Sequence, residues 1–323
     1  MEITVVGQKI HSQIKGAKNI LLVGHQNPDA DALGSLMAFS EWFDQLGKTY
    51  TKFCLSQPAA NLSWLVNFEP LTTDAQLLFN NRYDLVIILD SSDLQYAGVT
   101  DILAKFSPRP TVINIDHHFT NQNFGDINLV DSTAVSTSEI IYHLFKLLKI
   151  KISPRIASVL LAGIIGDTYN FTNPNTNYQS LATASDLLMA GARLEQVSDS
   201  VLKNKTIDTL KIWGKILVRL KYNPELKVVS TVVTENDLKD QSSGQEVTEG
   251  VANFLNNLAG VKAALILQQQ EPGIIKGSLR TNDDLIDISK LAKMLGGGGH
   301  RKAAGFKVKG QLVRTESGQW QIV

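Results

Sequence analysis

Short, nearly unbroken apolar runs alternate with longer amphipathic stretches through the first half of the chain. Residues 19–24, 48–55, 85–90 and 111–115 read as strands, and the density of apolar residues in the first, third and fourth predicts burial on both faces. Between them, residues 30–46 place Leu33, Leu36, Met37, Trp42 and Phe43 near helical spacing, and 138–148 do the same with Ile140, Ile141, Leu144, Phe145 and Leu148. Strand and helix in alternation predict an α/β domain with a parallel sheet. Residues 153–190 are mostly helical in pattern, with Pro154 suited to a first helical turn, where no amide proton is needed. An amphipathic helix over 206–220 reads as a connector, and Tyr222-Asn223-Pro224 breaks it. Strand-like 227–233, 263–268, 274–281 and 305–308 then interleave with helical 247–258 and 285–295, predicting a second, smaller α/β domain. The expected division is an α/β domain over 1–190, a helical connector over 191–224 and a smaller second domain over 225–323.

Composition narrows the partners. A length of 323 residues exceeds what one core usually supports, and 43% apolar residues suffice for two. Thirty-one basic residues balance 31 acidic ones, which argues against coating long nucleic acid or a membrane by bulk charge. A short anionic ligand in a local site is compatible with that balance. Cys54 is the only cysteine, no apolar stretch approaches the roughly 20 residues of a membrane span, and no signal segment is evident. These features predict a cytoplasmic protein without membrane association.

The chemistry-bearing residues gather where the apolar runs end. His25, Asp29 and Asp31 follow the first run, Asp90 closes the third, Asp116-His117-His118 follow the fourth, and Asp167 follows the apolar segment 156–165. The open end of a parallel sheet is where ligands bind. Any one of these acids has a plainer reading: Asp29 or Asp31 as a helix N-cap, Asp90 as the start of a turn. Their number favours metal ligation, because acids and imidazoles at the ends of buried runs are costly unless paired or metal-bound. Four of the six histidines lie in these motifs or beside the glycine run, whereas His11 and His143 fall on helices and read as surface or structural. Mixed carboxylate and imidazole donors suit a pair of first-row ions, Mn²⁺ first and Mg²⁺ or Co²⁺ as substitutes. Such a pair would generate hydroxide near neutral pH and clamp an in-line displacement at phosphorus.

Near the C-terminus, Gly296 to Gly299 precede His300 without the Lys-Ser or Lys-Thr of a nucleotide-binding P-loop. Composition alone would make this run a flexible linker. Residues 290–323, however, carry seven basic residues against one acid, Glu316. A glycine turn lets backbone amides approach a phosphate, with His300 and Arg280 binding its oxygens.

On His25-x-x-x-Asp29-x-Asp31, Asp90, Asp116-His117-His118 and Asp167-Thr168, followed by Gly297-Gly298-Gly299-His300 and Ala303-Ala304-Gly305, the chain resembles the DHH/DHHA1 phosphoesterase family over nearly its whole length. The resemblance implies that His25, Asp29 and Asp90 hold one metal and that Asp31, Asp90, His117 and Asp167 hold the other, with Asp90 as the bridge. It implies that His118 faces the scissile phosphate, that Asp116 orients a neighbouring histidine, and that Arg280, Gly297, Gly298, Gly299 and His300 grip the nucleotide. The layout is similar to small bacterial members that combine oligoribonuclease and 3′-phosphoadenosine-5′-phosphate phosphatase activities. The implied substrates are short single-stranded RNA or DNA oligonucleotides and nucleoside bisphosphates, and the implied assembly is a homodimer. Segments 136–139 and 171–176 fit as well, but Tyr169-Asn170 stand where many relatives carry a glycine. Tyr169, Phe171 and Phe306 are candidates for base stacking, against the plainer reading of core or loop packing. Competing readings are hydrolysis of pyrophosphate, polyphosphate or linear dinucleotide signalling products, and, from another class, a catalytically silent nucleotide-binding protein.

Overall fold

The computed structural model describes residues 3–66, 70–173, 175–202, 207–238, 244–271, 273–283, 285–299, 301–316 and 320–323. The chain divides into two compact units, Met1–Asn204 and Lys205–Val323.

In chain order the first unit holds α1 (Ile3–Gly16), β1 (Asn19–Val23), α2 (Ala30–Leu46), β2 (Thr49–Phe53), α3 (Ser63–Val66), β3 (Leu71–Thr72), β4 (Leu85–Leu89) and α4 (Thr100–Lys105). It continues with β5 (Thr111–Asp116), β6 (Ile127–Val130), α5 (Thr137–Leu147), α6 (Pro154–Thr168), α7 (Tyr178–Met189) and α8 (Leu194–Val201). The six strands form one parallel sheet in the order β3-β2-β1-β4-β5-β6. The central strands β1 and β4 are almost wholly apolar because both faces are covered: Ile20, Leu22, Leu85, Ile87 and Leu89 enter one core, and Leu21, Val23, Val86 and Ile88 enter the other. The chain winds outward from β1 through β2 to β3, then returns to β4 and winds the other way through β5 to β6. The crevice at such a reversal lies beyond the carboxyl ends of β1 and β4.

The second unit contains α9 (Ile207–Val218), β7 (Lys221–Asn223), β8 (Val228–Val233), α10 (Glu235–Leu238), α11 (Gly244–Asn256), β9 (Ala263–Glu271) and β10 (Ile274–Arg280). After these come α12 (Ile288–Met294), β11 (Gly298–Gly299), β12 (Ala303–Lys309), β13 (Leu312–Arg314) and β14 (Trp320–Ile322). Its main sheet is mixed, in the order β11-β12-β10-β9-β8-β7, with β8 and β9 parallel and the rest antiparallel.

Two stretches differ from the sequence pattern. The expected connector is divided: α8 lies in the first unit, whereas α9 buries Ile212 and Ile216 in the core of the second and so belongs to it. Tyr222 and Asn223 do not interrupt the fold but pair with β8 as the edge strand β7. Cys54 is a buried free thiol, pushed up to about 12 by burial. Among the described residues no helix is long and apolar enough to cross a membrane.

Candidate metal centre

Three adjacent strands of the first sheet, β1, β4 and β5, end at the same place, and each delivers polar side chains there. One residue past Gly24 the chain reaches His25, which is 3% exposed. Asp29 then caps α2, its Oδ1 accepting from the N–H of Asp31 at 2.9 Å and of Ala32 at 3.0 Å. The capping role suggested by residue type is therefore real, and the same oxygen lies 3.6 Å from His25 Nε2. Asp31 follows in the first helical turn and is fully buried.

Asp90 occupies the position just after β4 with φ 59°. This left-handed conformation is strained for a residue with a Cβ, and such strain persists where surrounding structure imposes it. Here the Asp90 N–H is tied to the Ile115 carbonyl at 3.0 Å, and Oδ1 accepts from Thr137 Oγ1 at 3.0 Å. The two carboxylate oxygens face different imidazoles: Oδ2 lies 3.6 Å from His25 Nε2, and Oδ1 lies 3.6 Å from His117 Nε2. Asp167 sits in the last turn of α6, with Oδ2 at 3.2 Å from His117 Nε2.

These contacts define overlapping donor sets: His25 with Asp29 and Asp90, Asp31 with His117 and Asp167, and Asp90 with His117 and His118. Within each set the donor atoms lie within 4.8 Å of one another. Electrostatics asks for cations in this place. Burial, together with the carboxylates of Asp31, Asp29, Asp167 and Asp116, pushes Asp90 well above the ordinary carboxylate range. Asp167 is pushed up likewise by burial and by Asp31, Asp29 and Asp116, and its carboxylate also faces the negative end of the α6 dipole. Burial lowers His117, favouring the neutral imidazole that ligates metals. The set fits a pair of divalent ions in donor type, overlap and unmet charge.

His118 and Asp116 form a different arrangement. His118 Nδ1 lies 2.7 Å from Asp116 Oδ1, and Asp116 Oδ2 accepts from Asn121 Nδ2 at 2.6 Å. Burial opposes a charge on His118, but the hydrogen bond and charge of Asp116 prevail and raise it above the ordinary imidazole value. Burial likewise works against the Asp116 carboxylate, yet bonding to His118 and Asn121 holds it low. The result is an imidazolium-prone side chain, 31% exposed, beside a buried anion.

The roles of several supporting residues escaped the sequence reading, although segment 136–139 fits the family resemblance. Backbone amides of Thr137 and Ser138, at the N-terminus of α5, donate to Asp31 Oδ2 at 2.6 Å and Oδ1 at 2.8 Å. A helix N-terminus thus holds the acid. Asn114, fully buried, accepts from Asn121 Nδ2 at 2.8 Å; an asparagine inside Val112-Ile113-x-Ile115 was the available signal. Tyr96 stacks on His25, with centroids 5.0 Å apart and planes at 22°, and meets His118 at 6.4 Å and 67°. Of the residues read as structural, His11 lies 6.0 Å from the Trp42 ring and His143 lies 4.0 Å from Glu139.

In the second unit the glycine run is not a linker. Gly298 and Gly299 pair with Gly305 and Ala304 as strand β11. A Cβ on Gly297 would lie 2.1 Å from the Gly305 carbonyl oxygen, so the close approach of β12 requires glycine there. Arg280 ends β10 opposite Ala303, which places it at the same end of the sheet as β11, with β12 between them. His300 lies outside the described residues. Phe306 is buried, Phe171 packs against the first unit's core, and Tyr169 is exposed.

Residues 19–164 match the N-terminal domain of the DHH family, and residues 226–316 match the DHHA1 domain. These two matches place the chain in the DHH family, as a phosphoesterase with a DHH domain followed by a DHHA1 domain. It is 28% identical over 292 residues to the "Bifunctional oligoribonuclease and PAP phosphatase NrnA" of Thermus thermophilus, covering 90% of this chain and 84% of that protein. A second relative, the "Probable manganese-dependent inorganic pyrophosphatase" of Streptococcus mutans, is 31% identical over 258 residues, covering 73% of this chain and 80% of the relative. The crystal structure of an exopolyphosphatase-related protein from Bacteroides fragilis superposes with a TM-score of 0.85 at 24% identity, covering 95% of this chain and 92% of that one, a likeness of fold.

Proposed function

We propose that the chain is a Mn²⁺-dependent phosphoesterase that hydrolyses short oligoribonucleotides to mononucleotides and 3′-phosphoadenosine-5′-phosphate to AMP and phosphate. The observation that carries this reading is the buried donor cluster in which the two oxygens of Asp90 face two different imidazoles. The relatives named bifunctional oligoribonuclease and PAP phosphatase, from Thermus thermophilus and Bacillus subtilis, support the substrate class. The manganese named for the Streptococcus mutans relative supports the choice of ion.

In this reading His25, Asp29 and Asp90 hold one ion, and Asp31, Asp90, His117 and Asp167 hold the other. Bound there, the ions would supply positive charge to the phosphoryl group and lower the pKa of an attacking water. The protein's own share is positioning and proton control. Asp116 fixes the His118 ring through Nδ1, leaving Nε2 to meet a phosphoryl or leaving-group oxygen. The Asp116 carboxylate raises this ring above the ordinary imidazole value and so favours its protonated form. The amides at the start of α5 hold Asp31 in place and oppose the upward push of burial on its carboxyl. In the second unit, Arg280, the glycines of β11 with Gly297, and His300 would bind phosphate away from the scissile bond, a grip that carries no base preference.

Product analysis tests this: labelled RNAs of about two to ten nucleotides and 3′-phosphoadenosine-5′-phosphate are incubated with the Mn²⁺-loaded chain. Mononucleotides and AMP are expected. If both substrates survive while pyrophosphate is split, the second reading holds, which the 31% identity to the pyrophosphatase favours.

A further inference from the structure

A histidine that ligates a metal through one ring nitrogen ordinarily donates its other N–H to a carboxylate, a carbonyl or water, which fixes the ring. His25 departs from this: Nε2 faces Asp29 and Asp90, while Nδ1 is buried with no hydrogen-bond partner among the described residues. What lies against the ring is Tyr96, near-parallel at 22° with centroids 5.0 Å apart. The tyrosine is itself anchored. Its N–H donates to Asp93 Oδ1 at 2.7 Å, and its carbonyl accepts from the Gln26 N–H, the residue after His25, at 3.0 Å. The loop after β4 thus clamps the loop after β1 by backbone and by ring face together.

We propose that Tyr96 is a positioning residue for His25, its ring face holding the imidazole in the ligating orientation in place of a hydrogen bond at Nδ1. This rests on the assignment of His25 as a metal ligand. Metal ligation draws electron density from an imidazole, and an aromatic face attracts positive charge, so the stack favours the metal-bound ring. The contact depends on the ring face, not on the hydroxyl, and an aromatic replacement should preserve it.

The test is calorimetric titration of the metal-free full chain with Mn²⁺ for the wild type, Tyr96→Phe, Tyr96→Trp and Tyr96→Leu, with thermal melting of each metal-free protein. Phe and Trp are expected to bind within about twofold of wild type, and Leu about tenfold or more weaker, at unchanged metal-free melting temperature. Wild-type affinity in the Leu variant, or a Phe variant as weak as Leu, would overturn the role of Tyr96. A wild type that takes up no Mn²⁺ would instead overturn the metal reading beneath it. One arm needs no substitution: in the metal-free wild type, ring current from Tyr96 should shift the His25 ring protons upfield, and unshifted resonances would contradict the stack.

Discussion

Asp90 concentrates the chemistry at the scale of single residues. Its backbone is held at φ 59°, and its two oxygens point toward His25 and His117. Asparagine tolerates the same left-handed conformation and can still accept from Thr137 Oγ1, so Asp90→Asn isolates the charge. The variant should keep its circular dichroism, lose measurable Mn²⁺ binding at one or both positions, and fall in turnover by at least about a hundredfold; turnover within tenfold of wild type would mean that Asp90 does not bridge. The residues placed at this centre were legible because acids and imidazoles at the ends of apolar runs break the pattern that surrounds them. Those that hold them were not. Thr137 and Ser138 act through backbone amides, which every residue has, and Asn121 reaches Asp116 from a loop with no apolar context to mark it.

Among the elements, α5 and α6 do the most to shape the centre. Gly163 of α6 lies where an added Cβ would sit 2.1 Å from Ser138 Oγ and 2.5 Å from Asp31 Oδ1. Asp31 cannot retreat without breaking its bonds to the α5 amides. Gly163→Ala should therefore cost about 1–3 kcal/mol of stability in denaturant titration despite alanine's better helix propensity, and should weaken Mn²⁺ binding in parallel. A variant more stable than wild type would show that the helices can separate freely. Element type was well forecast by periodicity: α2 begins and ends where the apolar spacing places it, and β1, β4 and β5 fall on the apolar runs. The pattern missed α1, whose apolar positions Val6, Ile10 and Ile14 cover only a narrow stripe, and the short strands β3, β6 and β11. It also assigned α9 to a connector, because amphipathicity tells which face is buried and not which core buries it.

For the whole molecule, the centre should couple stability to both pH and metal. In the metal-free chain Asp90 and Asp167 are raised by burial and by neighbouring carboxylates, so the folded state binds protons that the unfolded state releases. Their contribution is fully present below the ordinary carboxylate pKa and is lost as pH rises through the raised folded values. Metal-free protein should thus melt at progressively lower temperature across this window. Saturating Mn²⁺, which binds the deprotonated donors, should reverse the trend and add about 2.7 kcal/mol at a hundredfold excess over its dissociation constant. Melting curves with and without Mn²⁺ between about pH 5 and 8 read both effects.

The most direct measurement is anomalous scattering from crystals of the Mn²⁺-loaded chain, paired with metal analysis in solution. A pair of ions per chain is expected, one on His25, Asp29 and Asp90 and the other on Asp31, His117 and Asp167, with Asp90 touching both. A chain that takes up no transition ion, or holds it away from these residues, would contradict that expectation.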